Sequence, residues 1–239
     1  MIYYYEIITY PLFILAIIVS AYAQFKVSST FKKYSRVPSM SGKTGADVAR
    51  MILRNNGIND VSVQHISGHL TDHFDPKNRV LALSDSVYAS SSAAAVGVAA
   101  HEAGHAIQHE GGYFPIRLRR ALVPVTNFSS RISWIVIMIG LLVELFAYES
   151  SVGYYIVLAG IGLFSVSAIF QLVTLPCEFN ASSRAMRVLR ESGYYSEAEL
   201  SESRKVLSAA AMTYVAALFV TLVQVFRLLM IFGRRQNRK

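Results

Sequence analysis

Val98-Ala-Ala-His101-Glu102-Ala-Gly-His105-Ala-Ile-Gln108 is the stretch on which the reading of this chain turns. An α-helix repeats every 3.6 residues, so residues four apart share a face and the imidazoles of His101 and His105 project side by side. Glu102 is rotated by about 100° from His101, which sets its carboxylate beside the pair. The surrounding run of Ala, Val and Gly from about Ser90 to Gln108 suits a helix, despite the poor propensity of its glycines. Two imidazoles one turn apart can take one metal ion, and a flanking carboxylate can act on a water at that ion.

Outward from this helix the chain becomes oily. Of 239 residues, 53% are hydrophobic and only 16% charged, a balance foreign to ordinary soluble domains. Apolar runs cover residues 2–24, 132–148, 153–175 and 209–232; each is long enough, or nearly so, to cross a bilayer as a helix. The second and third, joined by the short turn Glu149-Ser-Ser-Val152, read as a helical hairpin. The fourth carries Gln224 and Arg227 and leads into a basic tail, 233–239. Ala21-Tyr22-Ala23 resembles a signal cleavage site, but the basic residues follow the first run and do not precede it, which favours a retained anchor.

The net charge of +8 sits beside these runs, in Lys26, Lys32, Lys33 and Arg36 after the first and Arg117, Arg119 and Arg120 before the second. That placement reads as membrane-flanking charge and not as a nucleic-acid footprint. Positive-inside bias puts the segments after the first and third runs on the cytoplasmic side, with the N-terminus outside. If the fourth run spans, its basic tail emerges against the rule; otherwise that run packs on the cytoplasmic face. The single cysteine, Cys177, excludes an intramolecular disulfide and a Cys-rich metal site and reads as a small buried apolar residue.

Residues 25–130 have mixed composition and are expected to form the domain that carries the chemistry. Thr44-Gly-Ala-Asp47, followed by Val48, Ala49, Ile52 and Leu53 at helical spacing and by Asn55-Asn56-Gly57 as a stop, predicts a helix over 45–56. Val61 and Val63 begin a short strand, Asp75-Pro-Lys-Asn78 is a turn, and 79–83 is a second strand.

A catalytic zinc site keeps three protein ligands and one open position, so a third ligand must come from elsewhere. Glu178, just past the third apolar run in Leu175-Pro-Cys-Glu-Phe-Asn-Ala181-Ser182-Ser-Arg184-Ala185, is the first candidate. Pro176 is compatible with the first turn of a new helix, on which Ala181, Ser182 and Ala185 share Glu178's face and permit close approach to the metal helix. Glu178 also reads as an acid favoured at a helix N-terminus. His73 or Asp72 is the alternative, as third ligand or as a cleft group polarising the substrate carbonyl. Arg184 reads as an oxyanion group or a surface charge. His65, His69 and His73 recur every four residues, but their surroundings favour strand and turn over a second metal face. His109 reads as a helix-end cap, since Gln108 and Gly111 break the longer three-histidine motif. Glu144 and Arg227 are ionisable groups inside or near apolar runs, where such groups can be functional.

The segments Val98-Ala-Ala-His-Glu-Ala-Gly-His-Ala-Ile-Gln108, Gly68-His-Leu-Thr-Asp-His-Phe-Asp75 and Leu172-Val-Thr-Leu-Pro-Cys-Glu-Phe-Asn-Ala181 resemble those of bacterial YugP-type neutral zinc metallopeptidases, and the likeness spans nearly the whole chain. That group is similar to the HtpX and CaaX prenyl protease gluzincins, in which a glutamate of a Glu-x-x-Ala-Asp pattern completes the zinc site. Glu178-Phe-Asn-Ala181 matches this pattern, while Ser182 replaces its aspartate. The resemblance implies Glu178 as ligand, and a substrate added as a strand along His69 to Asp75 or Arg79 to Leu83.

These readings predict an α+β membrane protein, a small gluzincin-like metallopeptidase domain with three to four transmembrane helices, set by resemblance in a bacterial cell membrane and by its flanking charges with its site facing the cytoplasm. Residues 176–208 would supply the helix of the third ligand and the one after it. The expected activity is a Zn2+-dependent endopeptidase acting on membrane or membrane-proximal proteins, with His101, His105 and Glu178 on the metal, Glu102 as general base, and His73 and Arg184 as possible cleft or transition-state residues. Two competing readings are an intramembrane protease, which needs residues 87–108 to span, and a non-catalytic scaffold or adaptor stabilised by zinc.

Overall fold

The computed structural model describes residues 2–147 and 151–232. Residues 149 and 150 of the expected turn 149–152 and the whole basic tail 233–239 lie outside them. Among these described residues six helices and three strands follow in the order α1 (Ile2–Tyr34), α2 (Gly45–Asn55), β1 (Ser62–Ile66), β2 (His73–Asp75), β3 (Val80–Ser84), α3 (Ala93–Glu110), α4 (Phe114–Phe146), α5 (Val152–Glu191) and α6 (Glu197–Phe232). The chain is a largely helical α+β membrane protein: α1, α4, α5 and α6 contain stretches long and apolar enough to cross a bilayer. The described residues fall into two compact units, one within Met1–Tyr22, Leu118–Thr174 and Tyr214–Lys239, the other formed by Ala23–Arg117 and Leu175–Thr213.

In the first unit the α4–α5 pair is drawn together by glycines. A Cβ on Gly140 would meet Val157 Cγ2 at 2.7 Å, and one on Gly160 would meet Ile137 Cγ1 at 2.6 Å. Small residues at such crossings let backbones approach where no hydrophobic drive separates helix from lipid. Ile137, Val157 and Ile161 are buried there with Leu228 of α6. Arg227 lies over the rings of Tyr10 and Phe13, 5.1 and 4.7 Å from their centroids, so a cation in an apolar run finds aromatic faces.

In the second unit the end of α1 is followed by α2, whose start is written in its cap. The Thr44 hydroxyl accepts from the Asp47 backbone N–H at 3.2 Å, and the Asp47 carboxylate accepts from the Thr44 N–H at 3.1 Å, a reciprocal capping box. Its end is marked by Gly57 in the left-handed region at φ 71°. The sheet has the order β1-β3-β2, with β1 parallel and β2 antiparallel to β3. Strand β3 contributes Leu81, Ala82, Leu83 and Ser84 to the interior.

Both ladder edges of β3 are therefore occupied, which removes 79–83 as a place for an added strand. Strand β2, within 69–75, is a sheet edge.

Helix α3 begins at Ser92, whose hydroxyl accepts from the Ala95 N–H at 3.2 Å. It packs on α2 and the sheet, and Ala94, Ala95, Ala99, Ala100, Ala103 and Ala106 are fully buried. It is not among the described helices apolar and long enough to span, which is what the intramembrane reading needs, and its alanines are covered by protein.

One expected boundary is absent. Residues 176–191 do not start a new helix, because α5 runs unbroken through Pro176. A new start would make Leu175 the N-cap, and a leucine has no side-chain oxygen to cap with. The nearby Thr174 hydroxyl instead donates backwards to the Phe170 carbonyl at 2.8 Å. The proline then costs one backbone hydrogen bond, to the carbonyl four residues earlier.

Candidate metal centre

Helix α3 presents His101 and His105 on one face, as their spacing requires, with ring centroids 4.7 Å apart. The 175–191 part of α5 lies against that face. The approach is close because Gly104 has no side chain: a Cβ there would stand 2.6 Å from the Ala181 carbonyl oxygen. This contact carries Glu178 to the histidines. Its Oε2 lies 3.2 Å from His101 Nε2 and 3.6 Å from His105 Nε2.

Glu178 is 2% exposed and the two histidine side chains 15% and 10%. A carboxylate so deeply placed needs compensating positive charge. The three groups form the metal-capable cluster among the described residues, with one ligand atom from each within 4.8 Å of the others. Tetrahedral zinc with bonds of roughly 2.0–2.1 Å separates its ligand atoms by about 3.4 Å, and the two carboxylate–imidazole distances bracket that value. Two imidazoles and one carboxylate also suit zinc chemically.

Glu102 is not one of the three converging groups; it follows His101 directly on α3 and is partly exposed. Burial by itself would lower the pKa of His105, but the adjacent Glu178 carboxylate, the charge of Glu102 and the Gln108 amide oxygen outweigh this and raise it.

Behind the cluster lie partners that the motif reading does not supply. Ser182, standing where the related pattern has aspartate, places its hydroxyl 3.1 Å from His101 Nδ1. Gln108, fully buried, sets its amide oxygen 3.0 Å from His105 Nδ1. The Gln108 amide nitrogen donates to the Cys177 carbonyl at 2.7 Å and to Asn180 Oδ1 at 3.0 Å. Gln108 follows His105 by three residues, a helical spacing that could have flagged it. Asn180 had no comparable signal.

The other candidates scatter. Arg184 donates its Nε to Asn180 Oδ1 at 2.7 Å and lies over the Tyr113 ring. His73, on the exposed edge strand, turns Nδ1 back to the Thr71 carbonyl at 2.9 Å. Asp72 accepts from the Ser84 N–H at 2.7 Å and from its hydroxyl, which occupies it in closing the strand end. His65 meets Asp85 at 2.7 Å and His69 packs edge-on against Phe31, so the three spaced histidines share no centre. His109, in the last turn of α3, packs against Phe74 of β2.

Over residues 9–233 the chain matches the family described as "Putative neutral zinc metallopeptidase". It is 46% identical over 226 residues to the "Putative membrane protease YugP" of Bacillus subtilis (strain 168), covering 94% of this chain and 97% of that relative. No solved structure matches. With both likenesses extending over nearly the full sequence, the chain belongs to this family of zinc metallopeptidases.

Proposed function

We propose that the protein is a membrane-bound zinc endopeptidase of the gluzincin type that hydrolyses peptide bonds in membrane or membrane-proximal proteins. The observation that carries this is the meeting of Glu178 with the His101–His105 face at 3.2 and 3.6 Å, with Glu102 next to His101 on the same helix. A closed structural site would use a fourth protein ligand; three ligands leave the open position of a catalytic one.

Zinc, when bound, supplies Lewis-acid polarisation of a carbonyl and of a water. Glu102 accepts the proton of the attacking water as its oxygen bonds to the peptide carbon, and returns that proton to the leaving nitrogen as the C–N bond breaks. His101, His105 and Glu178 hold the metal. The edge of β2 receives the substrate as an added strand; the Phe74–His109 contact ties this strand to α3 one turn beyond His105. The positive residues after the first and third apolar runs set the site toward the cytoplasm.

Glu102→Gln in the full-length chain tests the reading. The variant is expected to keep its zinc while cleavage of a quenched fluorescent peptide library falls by about 10²-fold or more. Cleavage equal to that of the wild type would sink the assignment of Glu102, and a zinc-loaded wild type that cleaves nothing would favour the scaffold.

A further inference from the structure

We infer that Arg184, Asn180 and Gln108 form a positioning relay that fixes the tautomer of His105 and so keeps Nε2 free for the metal. The inference rests on the zinc reading above and extends it to residues that do not touch the ion. Its strength is that both ends of the chain of hydrogen bonds have no choice of role.

At one end the guanidinium of Arg184 can only donate. The Asn180 atom 2.7 Å from Arg184 Nε must therefore be the amide oxygen. At the other end the Cys177 backbone carbonyl can only accept, so the Gln108 atom 2.7 Å from it must be the amide nitrogen. The same nitrogen faces Asn180 Oδ1 at 3.0 Å, which agrees with both assignments. The remaining Gln108 atom is then its oxygen, an acceptor, and it lies 3.0 Å from His105 Nδ1. Only Nδ1–H satisfies that contact. In the neutral ring the lone pair is left on Nε2, the atom 3.6 Å from Glu178.

The contrast with His101 is instructive. Its Nδ1 meets the Ser182 hydroxyl at 3.1 Å, and a hydroxyl can donate or accept. Ser182 steadies that ring without dictating its tautomer. Gln108 is fully buried and cannot rotate its amide without setting two carbonyl-type oxygens against each other. Partners of this kind orient a metal-binding imidazole and raise its basicity, and losing one typically costs about 10–100-fold in metal affinity.

The relay makes Arg184 and Asn180 positioning residues, and two substitutions at 180 separate this from simple packing. Leucine keeps the branching and heavy-atom count of asparagine but removes the acceptor; aspartate keeps an oxygen facing both donors. Zinc affinity is measured by chelator competition on the detergent-solubilised full-length protein, with Co2+ absorption as a second readout of ligand geometry. Asn180→Leu should lose about 10–100-fold in zinc affinity and alter the Co2+ spectrum, while Asn180→Asp stays within about threefold of wild type, below one 1.4 kcal/mol decade. Equal affinities for Asn180→Leu and wild type, or equal losses in both variants, would overturn the relay while leaving the zinc site standing. A wild type that binds no zinc would overturn the zinc reading itself. Should Asn180→Leu not fold, 15N-histidine NMR of the zinc-free wild type, at a pH where the ring is neutral, decides the matter. The relay requires the proton of His105 on Nδ1, and a proton on Nε2 refutes it.

Discussion

Two close helix contacts in this molecule depend on missing Cβ atoms. Gly104 of α3 brings the Ala181 backbone to a hypothetical Cβ distance of 2.6 Å, while in the α4–α5 pair Gly140 and Gly160 do the same against Val157 and Ile137 at 2.7 and 2.6 Å. The steric device is shared, yet what surrounds it differs. Around Gly104 stand His101, His105, Glu178, Gln108, Asn180 and Ser182, joined by hydrogen bonds of 2.7–3.2 Å and a His105–Glu178 ion-pair contact of 3.6 Å. Around Gly140 and Gly160 stand buried Ile137, Val157 and Ile161. Dispersion contacts are individually small and fade gradually with separation, whereas a metal site tolerates only about 0.2 Å in its ligand distances. Equal displacements should therefore be tolerated in one contact and disabling in the other.

The largest effect is expected from Gly104→Val. The new side chain must push the 175–191 segment away from α3 and carry Glu178 out of ligand range, so zinc content after dialysis should fall below one tenth of wild type, a loss of more than about 1.4 kcal/mol in binding. A variant that retains full zinc would mean that the Gly104 contact does not set the ligand distance. Gly140→Val probes the apolar counterpart. Overpacking there should cost about 1–3 kcal/mol of stability, seen as a lower unfolding midpoint in detergent, while the folded fraction binds zinc as tightly as wild type. Zinc affinity lowered in parallel would erase the distinction between the two contacts.

A control away from both glycine contacts should give the smallest change. Thr44→Ala removes the α2 cap and is expected to cost about 1 kcal/mol at neutral pH, read from thermal or denaturant unfolding. The Thr44 hydroxyl, followed by the Thr44 backbone N–H, holds the Asp47 pKa below its ordinary 3.8. A depressed carboxylate pKa stabilises the fold above the unfolded value, and the contribution disappears as pH falls through the native value. The difference between Thr44→Ala and wild type should accordingly narrow below pH 3.8. The group is largely exposed, so solvent screening keeps its share of the 1 kcal/mol small. A gap that widens in acid would contradict the cap.

The sequence by itself determined the elements whose signals are local. The i, i+4 histidines fixed one face of α3, Thr44 and Asp47 fixed the start of α2, and the length of the apolar runs fixed the membrane character, because period, cap chemistry and bilayer thickness act over a few residues or one helix. It also pointed to Glu178, though partly through a pattern in which Ser182 breaks the match. Only the tertiary structure decided the rest. The continuity of α5 through Pro176 was open in the sequence, since proline fits a helix start and is tolerated as an interior kink, and the loss of 79–83 as an open edge depended on β2 folding back beside β3. Gln108 and Asn180 acquire meaning only when residues some seventy positions apart lie within hydrogen-bonding distance, since donors and acceptors carry no long-range signature until packing brings them together.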